Sequence, residues 1–452
     1  MREELPKLSE EQLKEVGEEL LPTEMLRENL ELNDKGNPKQ TIGNVVTILE
    51  QDPLLAGAIK LNELTERVDI VKDLGWVRSG PVLNDTDMAY LTLYMERNYG
   101  ISAQGNIEDA IQIVSNENRY HPIREELMSL VWDGTPRVDD MLTHFLGVEK
   151  TELTTAAMKL FMLGAAARVF EPGCKFETSI CIIGGQGAGK STFFKFLALR
   201  DEYFSDDLKR LDDEKIVCRL QGHWIIEMPE MLATLNSKRV EEIKSFLSRD
   251  KDTYRTPYDK HPRDRKRQCV FGGTSNKLEV LPMDKSGNRR IIPIEAHRDK
   301  AEVHILDDEQ ASREYIRQAW AEIMVIYRSG EFELTLPAHL SKQLAQYQAR
   351  FTPEDTDEEA ITAFLSETGE MFVCVQMLAY EALGYSQFER LKKSDSNRIA
   401  EIMHCMKDWE PAGIQRFTKY SRQRAWKRKQ DASNAPSDGF MEIPEQMELP
   451  FD

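Results

Sequence analysis

The most constraining feature of this chain is the run SICII (179–183) followed by GGQGAGKST (184–192) and then FFKFLAL. A short apolar run of this kind suits a buried parallel strand, and FFKFLAL reads as a helix. Between them the loop matches G-x-x-x-x-G-K-[ST] in full. Strand, glycine-rich loop and helix in that order make a phosphate cradle. Glycines let backbone N–H groups curl around an anion, and the helix N-terminus adds its positive end. In such a cradle Lys190 reaches the β- and γ-phosphates of a nucleotide, and Ser191 ligates Mg²⁺. The candidate ATP contacts are therefore Gly184, Gly185, Gln186, Gly187, Ala188, Gly189, Lys190, Ser191 and Thr192. An accidental glycine-rich turn is the plain alternative, and the flanking strand and helix speak against it.

Three more strand candidates follow. HWIIEMPE (223–230) is apolar and ends in carboxylates. There Glu227 would hold Mg²⁺ through water and Glu230 would polarise an attacking water, although two glutamates leave the roles open to exchange. CVFGGTSN (269–276) ends in Asn276. Its amide both donates and accepts, which suits a residue standing between the loop and the acidic strand to orient water and sense the γ-phosphate. Arg289 and Arg290 precede the strand IIPIE (291–295). Two arginines at that point need anionic partners: ordinary carboxylates, or the γ-phosphate of a neighbouring subunit, with one of the two as the finger.

Short apolar strands alternating with helical stretches indicate an α/β fold with a largely parallel sheet. The predicted organisation is an acidic arm (1–25), a mainly helical domain (26–170), the α/β domain (171–335), a small C-terminal domain (336–430) and a polar tail (431–452). Helices are expected at 42–49, 87–99, from His121-Pro122 onward, 151–170, 312–327 and 394–407. Trp409 to Gly413 reads as a turn.

With 452 residues, 40% of them hydrophobic and 30% charged, the chain has ample material for several cores. No window approaches eighteen consecutive apolar residues, so no membrane span is expected. The acidic N-terminus has no apolar signal core, which disfavours secretion and lipid anchoring. The six cysteines form no C-x-x-C pair, so neither a disulfide framework nor a zinc ribbon is expected, and a reducing cytoplasm, that of a bacterial host, fits. A net charge of −19 argues against a chain that coats nucleic acid everywhere. The basic charge is nevertheless concentrated: six Lys/Arg against two Asp over 255–267, and eleven against four acids over 391–430.

Taken together, GGQGAGKST, LQGHWIIEMPEM, IKSFLSRDKDTYRTPY, FGGTSN and MDKSGNRRIIPIE resemble the AAA+ P-loop ATPase core of superfamily 3 helicases. More narrowly they resemble the virulence-associated protein E family of phages and mobile islands. GNVVTILEQDP and YHPIREELMSLVWDGTPRVDDML extend the likeness over roughly residues 40–300. The resemblance implies a ring-forming replication ATPase, hexameric, that grips single-stranded DNA. Members are often joined to a primase domain; no zinc-binding cysteine set is present here, so primer synthesis is not expected of this chain.

In superfamily 3 rings a hairpin just before the third of these strands projects into the channel. The matching interval here is 254–267, and Arg255, Lys260, His261, Arg263 and Arg265 are its candidate DNA contacts, with cations for phosphates and Tyr or His for stacking. A solvated loop whose arginines pair with Asp259 and Asp264 is the alternative. The segment IQRFTKYSRQRAWKRK resembles the basic wing of a small winged helix; a helical lid with a solvated basic face is the other reading. The tail Gln446 to Phe451 resembles a sliding-clamp-binding peptide. The leading function is thus an ATP-dependent helicase or translocase. The alternatives are a helicase loader or origin-melting switch, a DNA- and clamp-binding scaffold, and, least favoured, a small-molecule kinase.

Overall fold

The structure is a computed structural model that describes residues 23–208, 216–230, 237–254, 262–281, 289–353, 355–387 and 390–429. Its contacts divide into two units, with the boundary after Pro353.

The first unit begins with α1 (Thr23–Glu28), α2 (Ile42–Gln51), β1 (Ile59–Asn62), β2 (Arg67–Ile70), α3 (Asp85–Tyr99), α4 (Gln104–Glu117), β3 (Arg119–Tyr120), α5 (Pro122–Ser129), α6 (Met141–Leu146) and α7 (Glu152–Phe170). Local chemistry sets the helix ends. Thr41 caps α2, Asn84 and Asp87 form a capping box on α3, and His121 accepts from the Arg124 N–H to start α5. The expected mainly helical domain also contains a sheet of order β2-β1-β3. Its strands, IKLN, RVDI and RY, are short and carry charges, so no apolar run announces them. Buried Asp52 accepts from the hydroxyls of Tyr94 and Tyr99 and from the Leu54 and Leu55 N–H groups, which joins α3 to the end of α2.

The α/β region follows: β4 (Ser179–Ile183), α8 (Lys190–Leu197), β5 (Phe204–Ser205), α9 (Ile216–Leu220), β6 (Ile225–Pro229), α10 (Ser237–Leu247), β7 (Lys251–Tyr254), β8 (Arg263–Lys266), β9 (Val270–Ser275), β10 (Ile291–Glu295), α11 (Glu309–Ser329) and α12 (Ala338–Gln348). Five strands form one sheet of order β10-β4-β9-β6-β5, and every pair is parallel. β4 and β9 are buried at every position, and β6 and β10 at all but the last, as expected of a sheet covered on both faces. β5, a two-residue edge strand, has no signal in the sequence. α8 packs tightly because Gly272 of β9 has no side chain: a Cβ there would stand 2.3 Å from the Phe194 ring. The rings of Trp224 and Trp320 pack against each other with centroids 4.6 Å apart, tilted by 33°. Their indole N–H groups donate to the carbonyls of Ala165 and Leu197, so two large buried rings leave no polar atom unpaired. α12 packs on α7 and β10, which explains why the boundary falls after Pro353 and not at 335/336.

β7 and β8 form a separate antiparallel ribbon between β6 and β9 in the chain, with Lys251 opposite Lys266 and Tyr254 opposite Arg263. The base of this ribbon is clamped by Arg267. Its fork binds Asp252 at 2.6 and 3.0 Å, donates to the Phe246 carbonyl, and lies 4.4 Å from the Phe246 ring centroid.

The second unit holds α13 (Thr356–Glu367), β11 (Phe372–Cys374), a helical stretch over 375–382 that ends in π geometry, α14 (Lys393–Cys405), β12 (Trp409–Phe417) and β13 (Ser421–Arg428). Its sheet is antiparallel, of order β11-β13-β12, and its core includes Ile361, Val373, Ile399, Trp409 and Trp426. The expected turn at 409–413 is instead the first half of β12, bulged between Pro411 and Ile414, and Gly413 absorbs the kink at φ 69°. Among the described residues one helix, α7, is long and apolar enough to cross a membrane, and 78% of that window is buried inside the protein.

The Arg267 clamp yields a prediction. Removing one member of a buried, bidentate pair costs about 3–5 kcal/mol, and Arg249, 3.6 Å from Asp252, compensates only from a half-exposed position. Arg267→Ala should lower the urea midpoint correspondingly, whereas Lys251→Ala, whose partner Asp264 is exposed, should shift it little.

Candidate functional site

The loop 184–189 leaves the C-terminal end of β4 and enters α8. Gly189 is the residue before the helix and sits at φ 80°, with the Ile305 side chain 2.9 Å from where a Cβ would lie. Any other residue would be both strained and crowded there. Lys190, the first helical residue, turns back under the loop. Its Nζ donates to the carbonyls of Gly184 and Gly185 at 2.7 and 3.0 Å and to Asn276 Oδ1 at 2.9 Å. Burial holds its pKa below the usual lysine value, opposed by Glu230 and Glu227.

Parallel pairing brings the remaining residues to the same edge. β9 lies between β4 and β6, so Asn276 follows the strand beside the loop and Glu227 sits one strand further on. Glu227 is buried. Its Oε1 accepts from Ser191 Oγ at 2.7 Å and from Thr274 Oγ1 at 2.5 Å, while Oε2 is buried and has no hydrogen-bond partner among the described residues. Burial raises its pKa above the usual carboxylate value; the hydrogen bonds from Thr274 and Ser191 oppose this only in part. A hydroxyl beside a carboxylate with one unpaired oxygen suits a divalent cation that keeps water and phosphate oxygens as its other ligands. No group of three or more His, Cys, Asp or Glu that could hold a metal occurs among the described residues, so such an ion would depend on those outside ligands.

Glu230 stands just past β6 at φ 52°, a left-handed conformation that costs a non-glycine residue roughly 1–2 kcal/mol. The turn carries its carboxylate across the end of β9, where it accepts from the Asn276 N–H at 2.9 Å and from Ser275 Oγ at 3.3 Å. Lys190, Ser191, Glu227, Glu230 and Asn276 thus converge through direct hydrogen bonds. Glu227 faces the Ser191 hydroxyl, and Glu230 faces Asn276.

Arg289 and Arg290 do not join this cluster. They precede β10, whose Ile291 pairs with Ser179 and whose Glu295 pairs with Ile183. Five strand residues at about 3.3 Å each put them roughly 16 Å along the sheet from the loop. Both meet Glu177, Arg290 at 2.8 Å and Arg289 at 3.7 Å; Arg290 also donates to Ser248, while the Arg289 side chain is 74% exposed. Sequence reasoning missed two other residues. Past the C-terminal end of β10, Arg298 Nη1 lies 3.2 Å from where a Gly187 Cβ would stand, and His304 Nε2 is 3.1 Å from the Gly187 carbonyl. Arg298 is exposed, and among the described residues it has no ion pair. Only the adjacency of β10 to β4 brings them to the loop, and no motif marks that.

Of the candidate DNA contacts, Arg255, Lys260 and His261 lie outside the described residues, as does the tail segment Gln446–Phe451. Arg263 is exposed on β8. Arg265 is buried and ion-paired with Glu66. Asp264 pairs with Lys251, not with an arginine, and also accepts from Thr253.

The unpaired oxygen of Glu227 generates a pH prediction. A carboxyl whose folded pKa is raised favours folding while protonated and loses that contribution as pH rises through the folded value. Glu227→Gln keeps an acceptor for Ser191 and Thr274 without the buried charge. Its thermal midpoint relative to the parent chain should therefore be higher at pH 8 than at pH 4; a difference that does not change with pH would refute the assignment.

The virulence-associated protein E-like domain model matches residues 127–353. No curated protein matches the chain. Among solved structures, an apo structure of the NrS-1 C-terminal region is similar at TM-score 0.47 and 15% identity, covering 82% of this chain and 96% of that one. Two A-form apo structures of the same region give TM-scores of 0.46 and 0.48, each at 13% identity and the same coverage. With half of its length in the domain match, the chain belongs to the virulence-associated protein E-like family.

Proposed function

We propose that this protein is a nucleic-acid-stimulated ATPase that serves replication of a phage or mobile element, built on an AAA+ core of the superfamily 3 helicase type and working as a ring. One observation carries the reading: Lys190, Ser191, Glu227, Glu230 and Asn276 come from three neighbouring parallel strands and meet at the mouth of one glycine-rich loop. The loop N–H groups and Lys190 receive the β- and γ-phosphates in place of the Gly184 and Gly185 carbonyls. Ser191 and Glu227 would hold Mg²⁺, which would supply positive charge against the phosphates. Glu230, free of the Ser191 pair, takes the proton of the attacking water, and Asn276 positions that water. Arg298 adds a cation on the flank opposite the glutamates.

The finger comes from the neighbouring subunit. Arg289 is the better candidate, because Arg290 is held by Glu177 and Ser248 whereas Arg289 is exposed and far from its own loop. The C-terminal unit acts as a winged helix with β12 and β13 as its wing. Arg416 lies opposite Arg422, and Arg424 is opposite Ile414. Like charges in direct cross-strand register repel unless an anion lies between them, so this ribbon suits a phosphodiester backbone.

Hydrolysis measured with and without single-stranded DNA tests the reading. Lys190→Ala should abolish turnover and leave the thermal midpoint nearly unchanged, and turnover retained in that variant would remove the site. Mixing Arg289→Ala subunits with Glu227→Gln subunits should restore part of the activity. No rescue at any ratio would sink the shared site and leave a subunit-autonomous ATPase.

A further inference from the structure

A second feature of the first unit is not used by the ATP site. A cleft of about 1310 Å³ opens between the β1–β2 turn, the junction of α4 with β3, and the outer strand β8. It exceeds the roughly 300–1,000 Å³ of an ordinary small-molecule pocket. Five arginines line it: Arg67, Arg119, Arg124, Arg263 and Arg265.

Two of the five are structural. Arg124 binds Glu63 at 3.0 Å and the Val169 carbonyl, and Arg265 pairs with Glu66. They neutralise two of the acids in the cleft. The walls are tied together as well: Gln268 donates to the Glu63 carbonyl at 2.8 Å, and Gln221 donates to the Thr65 carbonyl. The β1–β2 turn is therefore held in place against the segments that precede β6 and β9, and the cleft is built before any ligand arrives.

The other three guanidiniums have no carboxylate partner among the described residues. Arg119 donates to the Asn116 carbonyl and side chain, which orients it without cancelling its charge. Arg67 and Arg263 are exposed on the cleft walls. Set against them, Glu117 is the one lining acid outside those two pairs. Three arginines without carboxylate partners lining one cleft, in a chain of net charge −19, make it a local positive site that favours an anionic ligand. The floor supplies apolar surface through Val68, Leu83 and Ile113, the last 42% exposed. A repeated anion with flat apolar groups attached is the chemistry of a polynucleotide strand with its bases unstacked.

We infer that this cleft binds the backbone of single-stranded nucleic acid, with Arg67, Arg119 and Arg263 as phosphate contacts and the apolar floor beneath the bases. The inference deepens the proposed function. It extends the nucleic-acid path from the β7–β8 ribbon onto the small N-terminal sheet, which no sequence motif indicated.

The test uses the full-length chain with labelled oligothymidylate and oligouridylate, followed by fluorescence anisotropy across a salt series. Removing one phosphate-neutralising cation should flatten the log–log salt dependence by about 0.7. Arg67→Ala/Arg119→Ala should weaken binding at least tenfold at low salt and flatten the slope by roughly 1.4, without changing hydrolysis in the absence of nucleic acid. Arg67→Lys/Arg119→Lys should keep the slope, which separates removal of charge from disruption of the fold. Stronger binding of one polymer would identify DNA or RNA as the ligand. If the double alanine variant binds as the parent does, or weakens with an unchanged slope, the cleft does not hold the strand, and the ATPase reading stands. If the parent chain hydrolyses ATP but binds neither polymer, the cleft inference and the nucleic-acid part of the proposed function fall together, whereas a chain that binds but never hydrolyses leaves only the cleft.

Discussion

The candidate site depends on the insertion of β9 between β4 and β6. Were β4 and β6 adjacent, no strand would stand between Lys190 and Glu227. With β9 between them, Thr274 reaches Glu227 from one side of its strand and Asn276 reaches Lys190 beyond its end. Parallel register then does the rest, because every strand that bears a polar residue ends at the same edge. The same insertion buries Glu227, so the carboxylate is desolvated and keeps one oxygen unpaired. A group in that state is costly by itself and gains most from an incoming cation. Local expense and chemical readiness have the same cause.

Charge placement follows a second logic. Carboxylates hold those arginines that have structural work: Asp252 holds Arg267, Glu63 holds Arg124, Glu66 holds Arg265, and Glu177 holds Arg290. Arginines without such partners include Arg298 at the glycine-rich loop, Arg67, Arg119 and Arg263 in the cleft beside β8, and Arg416, Arg422 and Arg424 on the β12–β13 ribbon. The net acidity of the chain therefore says little about what it binds. What matters is where the acids have been used, and that depends on which side chains the fold brings together.

Much of the core was legible because its signals are local. The apolar runs within SICII, HWIIEM, CVFGGTS and RRIIPIE are short and continuous, and each lies in a buried parallel strand. The long helix expected at 312–327 was equally plain; the structure extends it to Glu309–Ser329, between an Asp308 cap and Gly330 at φ 71°. The N-terminal sheet was not legible. IKLN and RVDI alternate charge with apolar residues, and pairing with β3 comes from a segment more than fifty residues away. The turn expected at 409–413 failed for a related reason: a proline and a glycine there mark a bulge in a strand, and a bulge and a turn use the same residues.

By itself the sequence determined the chemistry available at the loop: glycines where backbone must approach an anion, a lysine and a serine at the start of a helix, and carboxylates at the end of an apolar strand. These follow from conformational freedom and side-chain type, both local properties. Only the tertiary structure decided how the pieces are shared out. It set Glu227 against Ser191 and Glu230 against Asn276, which two similar glutamates could not settle in one dimension. It also placed Arg289 and Arg290 at the far edge of the sheet and brought Arg298 and His304 to the loop, because strand order, not sequence distance, fixes which ends lie together.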